Sequence, residues 1–443
     1  MYIPEYVADV INRIEENGFP AYVVGGCVRD YLIGRETHDF DIASPALPEK
    51  ILEIFSDYTT FTNGMKHGTI MILSDKHIVE VTTFRSDGTY SDSRRPDSVS
   101  FVRSIEEDLS RRDFTINAMA YSECEGIIDP YGGQADLKNK IIRCVGNPCE
   151  RFSEDALRIM RGVRFSSVLG FKIESETMFA MLETKNLLSK IAKERITNEF
   201  RAMLLGIGDN VYQTLMQCRD IIYELIPELR IEDTYIMEKY PNMTLWEHTA
   251  RAVSMTTNIY ERLCMLLHDV AKPSCKLIIG GKEKHPNHAE KGAELAEKIL
   301  SRFRFDKLTN TAVVKLIKNH SLEFPRTLMD MRKFVREFGY DFTKDWLEIK
   351  YADIFSKPHK EATEQLYYNA VKLFDKIYEN NLCCAVSELD ISGNELKEIG
   401  FIGREIRIIL EKLLDGVISE KYENKKEELI KQALLLREDY TVK

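Results

Sequence analysis

The sequence predicts an α+β protein, with a small α/β head followed by an all-α body. Three observations carry that prediction. Short apolar runs bounded by glycine and polar turns fill the chain up to about residue 135. The strand signal stops near residue 150. Helical periodicity then dominates to the end.

In the head, Val7, Val10, Ile11 and Ile14 form a helical stripe interrupted by charges, which is not the pattern of a signal peptide. "AYVVGG", residues 21–26, reads as a strand running into a glycine turn. "TIMILSDKHIVEVTTF", residues 69–84, reads as a hairpin with Ser74, Asp75, Lys76 and His77 at its turn. Residues 85–97 are polar and rich in Gly and Ser, the composition of a mobile loop. In the body, breaks fall near residues 206–209, 239–243, 280–286 and 356–359. No internal repeat or low-complexity segment is evident.

The 443 residues suggest two to four domains and allow a sizeable core. Hydrophobic content of 44% and charged content of 30% fit a soluble globular protein, and no apolar run reaches membrane-spanning length. The nine cysteines include no C-x-x-C pair and read as reduced residues of a cytoplasmic protein. A net charge of −10 disfavours non-specific nucleic-acid binding but leaves room for a local basic groove.

The stretch "GGCVRDYLIGRETHDFDIASP" raises a chemical question, because it sets two carboxylates one residue apart just past a glycine turn. On a strand, residues two apart share a face. Asp39 and Asp41 then point together, with Phe40 and Ile42 turned into a core. Convergent carboxylates suit Mg²⁺, which combines one or two of them with substrate phosphates. Glu80, in "HIVEVTTF", is placed to complete the acidic cluster, and two metals about 3.5–4 Å apart would clamp attacking and leaving oxygens. Gly25 and Gly26 let the backbone approach phosphates, and Arg29 reaches their oxygens. The competing reading is a solvated turn with surface acids.

Five motifs in order narrow the choice: the stretch above, "LSRRDFTINAMAY" (109–121), "IIDPYGGQADLKNKIIRCVG" (127–146), "RFSEDALRIMRGVRFSSVLGF" (151–171) and "KERITNEFRAMLLG" (193–206). Together they resemble the class II tRNA nucleotidyltransferases, the CCA-adding enzymes and their bacterial poly(A) polymerase relatives. The resemblance implies a polymerase-beta-like nucleotidyltransferase head at residues 1–140. It implies a helical neck with a nucleobase-selecting helix at 141–235.

In the fourth motif Ser153 is a good helix N-cap, with Glu154 and Asp155 in the first turn and Arg158, Arg161 and Arg164 following at steps of three. Like charges so spaced call for an anion, or for pairing with nearby acids such as Asp155 with Arg158. Cytosine and adenine present an amino donor beside a ring-nitrogen acceptor, whereas guanine and uracil present the reverse. A carboxylate only accepts and a guanidinium only donates. Asp155 beside Arg158 therefore suits C and A and leaves polar groups unpaired against G and U. The resemblance implies the same role, a protein template that includes Glu154. Arg112 would hold the triphosphate. Asp113 would contact the ribose or cap a helix, and Arg161 and Arg164 would support the nucleotide or position Asp155.

A second constellation lies at residues 236–365: His248, His268, Asp269, His288, His320 and Asp353. Imidazole and carboxylate together suit Mn, Fe, Ni, Zn or Mg. The order resembles the HD metal-dependent phosphohydrolases and implies a second divalent metal. Residues 366–443 are amphipathic and helical, with apolar Ile391, Leu396, Ile399, Phe401, Ile406, Ile409 and Leu410. The basic residues of this tail read either as a solvated face or, by the resemblance, as a grip on tRNA.

The expected activity is transfer of C and A from CTP and ATP to the tRNA 3′ end, with Mg²⁺ and no membrane association. The motifs leave open A-only addition or poly(A) synthesis. CC-only relatives tend to have a shortened loop at positions 85–97, and this loop looks intact. An HD phosphohydrolase with a relic head, and a non-catalytic RNA-binding protein, are the readings from other classes. Oligomeric state is not legible.

Overall fold

The computed structural model describes residues 1–37, 39–88, 99–358 and 361–441. The chain divides into two compact units, Met1–Arg230 with Ile299–Phe305, and Ile231–Lys298 with Asp306–Lys443.

The first unit opens with the helix Glu5–Glu16, which buries Val7, Val10 and Ile14 as the apolar stripe predicts. The head strands are β1 (Tyr22–Val24), β2 (Asp41–Ser44), β3 (Thr59–Phe61), β4 (Thr69–Ser74), β5 (His77–Thr83), β6 (Arg85–Asp87), β7 (Val99–Phe101), β8 (Ala120–Ser122) and β9 (Gly126–Ile128). Seven of them form one sheet in the order β3-β4-β5-β2-β1-β8-β9. β2 and β5 run parallel, and every other neighbouring pair is antiparallel. The parallel register sets Asp41 directly opposite Glu80. The expected hairpin is β4–β5, closing at Ser74 opposite His77. Asp75 and Lys76 form its two-residue turn with φ of 41° and 67°. Positive φ at both turn positions matches the twist of the flanking strands. The expected loop at 85–97 begins instead as a strand, since Arg85–Asp87 form β6 and pair with β7, and from residue 89 onward it lies outside the described residues.

Around the aspartate pair the alternation is as the strand period requires. Asp39 and Asp41 are exposed, while Phe40 and Ile42 are 6% and 0% exposed. The strand itself opens at Asp41, so Asp39 lies in the lead-in rather than on β2. Tyr22, Val24, Ala43, Phe84, Leu109 and Ala120 pack into one core of the head.

The fourth motif differs from its sequence reading. It folds as two helices, Pro148–Glu154 and Leu157–Leu169, rather than one helix capped by Ser153. Asn147 caps the first, accepting from the Cys149 amide, with Pro148 at its first position. That start is strong enough to draw Ser153 and Glu154 into the last turn. Asp155 adopts an extended backbone and accepts a 3.0 Å hydrogen bond from the Leu157 amide, so it caps the second helix.

Helices dominate the second unit, including Leu245–Met255, Ile259–Leu267, Lys307–Asn319 and Tyr340–Phe355. Leu277–Ile279 and Lys282–Lys284 form a short hairpin across Gly280 and Gly281, where a break is predicted. Toward the C-terminus, Ile391, Leu396, Phe401, Ile406, Ile409, Leu413 and Leu414 build a separate core with Leu429. These are largely the apolar positions read from the sequence. Among the described residues no helix is long and apolar enough to cross a membrane.

Candidate active site and metal centre

In the first unit a cavity of about 620 Å³ is lined by eleven residues singled out from the sequence: Gly25, Gly26, Arg29, Asp39, Asp41, Arg112, Asp113, Asp155, Arg158, Arg161 and Arg164. Glu80 and Glu154 are not on its lining. Arg111, Asn117, Leu157, Phe165 and Arg195 are on it and were not foreseen. Seven arginines against four aspartates leave the lining with three surplus positive charges, which suits a polyanion.

The glycine turn makes room for a cation. Gly25 has φ of +81°, and a Cβ there would lie 2.7 Å from Arg112 Nη1. Only glycine combines that backbone with that clearance. Arg112 Nη2 in turn reaches the buried Asp108 carboxylate at 3.4 Å.

Although its side chain is open to the cavity, Asp41 is partly desolvated by the surrounding wall; that desolvation and then repulsion from Asp39 hold it above the ordinary aspartate range, while Arg112 opposes the rise. Burial, Asp41 and Asp39 together raise Glu80 as well. Repulsion among three carboxylates is what a divalent cation relieves, and an all-oxygen donor set fits Mg²⁺. The fit is partial at Glu80. Among the described residues it does not close with Asp39 and Asp41 into a group whose ligand atoms all lie within 4.8 Å of one another.

Asp113 is 7% exposed and fully engaged. Its Oδ1 accepts from the Phe114 amide at 2.8 Å and from Asn117 at 3.1 Å, and its Oδ2 accepts from Arg161 Nε at 2.6 Å. Burial alone would raise its pKa, but Arg161 and these donors hold it down to about 2. Of its two expected roles, the local cap is therefore the one made within the chain.

The arginine helix Leu157–Leu169 is paired all along its length. Arg158 donates to Glu154 Oε2 at 2.7 Å and to the Arg151 and Arg111 carbonyls at 3.1 Å each. Glu154 is thus a partner of Arg158 and of Arg151. Arg164 pairs with Glu199 at 3.1 Å. Asp155 pairs not with Arg158 but with Arg195, 3.1 Å away. Both oxygens of Asp155 are therefore fixed, one by the Leu157 amide and one by a guanidinium forty residues downstream. Arg195 lies within the fifth motif, but nothing in local spacing links it to Asp155.

The second unit brings all six expected residues together in two groups that share Asp269. His248, His268, Asp269 and Asp353 form one group; Asp269, His288 and His320 form the other. In the first, His268 Nε2 is 3.2 Å from Asp269 Oδ2, and both imidazoles are 3.3 Å from Asp353 Oδ1. In the second, His288 and His320 each stand 3.8 Å from Asp269 Oδ1, the opposite oxygen. That Oδ1 is buried without a hydrogen-bond partner.

Orientation of the rings is set from behind. The Nδ1 atoms of His268, His288 and His320 lie 2.7, 2.8 and 2.6 Å from the carbonyls of Met265, His285 and Ile317. A carbonyl only accepts, so each Nδ1 donates and each Nε2 points its free side inward. The paired Nε2 atoms approach to 3.2 Å, His248 to His268 and His288 to His320. Either a proton or a cation must sit between such groups. Burial pushes His248 and His320 down to about 3, which keeps them neutral as ligands must be. For His268 burial acts in the same direction, but Asp269 and Asp353 outweigh it and lift the ring to about 9. The nitrogen and carboxylate donors are of the kind that suits a transition-metal ion, and Asp269 offers one oxygen to each histidine group. Lys272 and Lys357 each approach the same carboxylates, at 2.5 Å from Asp269 and Asp353.

Residues 21–143 match the poly A polymerase head domain, 170–231 the probable RNA and SrmB-binding site of polymerase A, and 246–377 the HD domain. The CCA-adding enzyme of Enterococcus faecalis is 56% identical over 201 residues, 45% of this chain and 49% of that relative. The CCA-adding enzyme of Ligilactobacillus salivarius is 53% identical over 219 residues, 49% of this chain and 53% of that relative. The chain thus spans about half the length of the curated relatives it matches. In fold it resembles the Bacillus stearothermophilus CCA-adding enzyme in complex with CTP, with a TM-score of 0.65 and 26% identity over 100% of both chains. The Thermotoga maritima CCA-adding enzyme complexed with tRNA has a TM-score of 0.62 at 19% identity, covering 98% of this chain and 96% of that one. The expected likeness to CCA-adding enzymes is therefore found in sequence over about half of the chain and in fold over all of it. Residues 21–143 are thus similar to the poly A polymerase head domain, and residues 246–377 of the same chain to the HD domain.

Proposed function

We propose that the chain is a template-independent tRNA nucleotidyltransferase that adds C and A to the tRNA 3′ end from CTP and ATP. The observation that carries the reading is one cavity holding the aspartate pair, the arginine ladder and the Asp155 carboxylate together. Relatives named as CCA-adding enzymes, and a structural neighbour described with CTP, support it. All nine cysteines are free, which fits the reducing cytoplasm. The reading takes residues 1–140 as the head, 141–235 as the neck, 236–365 as the HD domain and 366–443 as a tRNA-gripping tail.

In the proposed reaction the tRNA 3′ oxygen bonds to the α-phosphorus, the bond to the bridging oxygen breaks, pyrophosphate leaves, and the hydroxyl proton passes to solvent. Asp39 and Asp41 would hold Mg²⁺, which when bound would supply positive charge to the phosphates and lower the pKa of the attacking hydroxyl. Glu80, opposite Asp41 across the β2–β5 ladder, adds negative charge that favours the ion. Arg112, admitted by Gly25, and Arg29 donate to phosphate oxygens. Asp155 accepts from the amino group of cytosine or adenine, and Arg158 offers the neighbouring donor. Gly25→Ala would force Arg112 aside; the expected result is a fall in kcat/KM for both nucleotides of at least about ten-fold, read by steady-state incorporation.

Asp155→Ala is expected to lose preference for C and A over U and G by about 100-fold, because a buried polar mismatch no longer penalises the wrong bases; loss of the helix cap and of the Arg195 pair lowers the melting temperature by a few degrees but leaves the protein folded at the assay temperature. Incorporation of all four nucleotides measures the preference, and unchanged selectivity would sink the template reading.

Primer extension on tRNAs ending before the first C, the second C and the final A, with CTP, ATP or both, tests the function itself. Growth through all three positions establishes CCA addition. Growth only at the last position gives A addition, and long tails give poly(A) synthesis.

For the HD domain the reading is a site for two divalent cations, with Asp269 placed to offer an oxygen to each. His248, His268 and Asp353 would hold one and His288 and His320 the other. Such a pair supports phosphoester hydrolysis when bound.

A further inference from the structure

One ring in the cavity wall stands against three cations. The guanidinium carbons of Arg164, Arg29 and Arg161 lie 4.4, 5.2 and 5.5 Å from the centroid of Phe165. All four residues line the same cavity. The ring itself is 6% exposed and is braced edge-on by Phe114, with centroids 5.9 Å apart at 87°.

Each guanidinium is also held at its edge by a polar partner. Arg29 meets Asp30 at 2.9 Å and Asn117 at 2.6 Å, Arg161 meets Asp113 at 2.6 Å, and Arg164 meets Glu199 at 3.1 Å. The acids fix where each group sits, and the ring fixes its tilt. Three like charges sharing one aromatic surface repel one another. What offsets that repulsion is the attraction of each for the ring and an anion placed among them.

We infer that Phe165 is a positioning residue for the polyphosphate of the incoming nucleotide. It aligns Arg29, Arg161 and Arg164 so that their remaining N–H groups converge on the phosphate oxygens. The inference rests on the nucleotidyl-transfer reading for its ligand, and deepens it. The three guanidinium groups on Phe165 are not the Asp155 and Arg158 taken to read the base, so its expected effect falls equally on CTP and ATP and on the released pyrophosphate.

The test uses the full chain with Phe165→Leu, Phe165→Met and Phe165→Trp, pyrophosphate as the probe, and calorimetric binding beside tRNA extension. Leu and Met keep an apolar plug without a π-face; Trp restores one. The expected result is about ten-fold weaker pyrophosphate binding in the Leu and Met variants, because all three guanidinium groups lose the aromatic face at once. KM for CTP and for ATP rises by the same factor, kcat changes less, and preference over UTP and GTP is kept. Trp recovers most of the loss. Met stands in if Leu does not fold, as melting temperature reports. Wild-type affinity in a folded Leu or Met variant overturns the inference, and so does a Trp variant as weak as Leu. A wild type that binds pyrophosphate yet extends no tRNA would overturn the transfer reading and leave the positioning role standing.

Discussion

Asp41→Asn is expected to abolish nucleotide addition, lowering kcat by about 10³-fold or more, equivalent to ~4 kcal/mol of lost transition-state stabilisation. The variant keeps the size and shape of the side chain and removes the charge. Asp41 begins β2, flanked in the ladder by Val24 on one side and Glu80 on the other, so the strand itself needs only its backbone. The ordinary fold should therefore persist, and removing one charge from a repelling trio should leave stability unchanged or slightly higher. Single-turnover extension with excess enzyme reads the chemical step directly. A loss confined to KM would instead mean that Asp41 serves nucleotide binding and not the reaction. Full activity in Asp41→Asn would end the proposal that this pair holds the catalytic ion.

The other large effect is expected at Asp269→Asn. One carboxylate faces both histidine groups, Oδ2 toward His248 and His268 and Oδ1 toward His288 and His320. An amide offers one weak acceptor oxygen and turns a donor toward the other group. Bound Mn or Ni, counted by elemental analysis after desalting, should fall from about two ions per chain to less than one. His288→Ala should cost one ion only, because it serves a single group. Hydrolysis of a chromogenic phosphoester with added Mn²⁺ or Ni²⁺ should follow the metal content. Equal metal content in wild type and Asp269→Asn would exclude the shared-carboxylate arrangement.

The parts of this site that could be read in the sequence are those set by local periodicity. Asp39 and Asp41 face away from Phe40 and Ile42 because a strand alternates, and no tertiary knowledge is needed for that. The β4–β5 hairpin was legible for the same reason. The helix start at Asn147–Pro148 was equally local, yet Ser153 presents a similar cap signal six residues later, and only packing decides between two such signals. Pairings that span the chain left no trace. The partner of Asp155 comes from Arg195, and that of Arg161 from Asp113 and Glu199. In the HD domain the six ligands were countable as letters. Their division into two groups depends on which oxygen of Asp269 faces which ring, and a sequence does not encode that at any spacing. Phe165 was hidden for a plainer reason: an aromatic residue on a helix reads as core, and its place among three guanidinium groups emerges only once two helices are brought together.

The turn at Asp75 and Lys76 has a bearing on how this head can change over generations. It is four residues from Glu80, and together with the β2 ladder and the apolar alternation of β5 it sets the offset at which β5 lies along β4. A single residue inserted there and not absorbed by a longer loop or bulge would slide β5 by one step and turn Glu80 from the open face into the core, together with every second side chain of that strand. Substitutions at the turn are cheap while insertions are not. The head should therefore tolerate many spellings of this corner but only one length, and lineages that vary in loop size should vary it elsewhere.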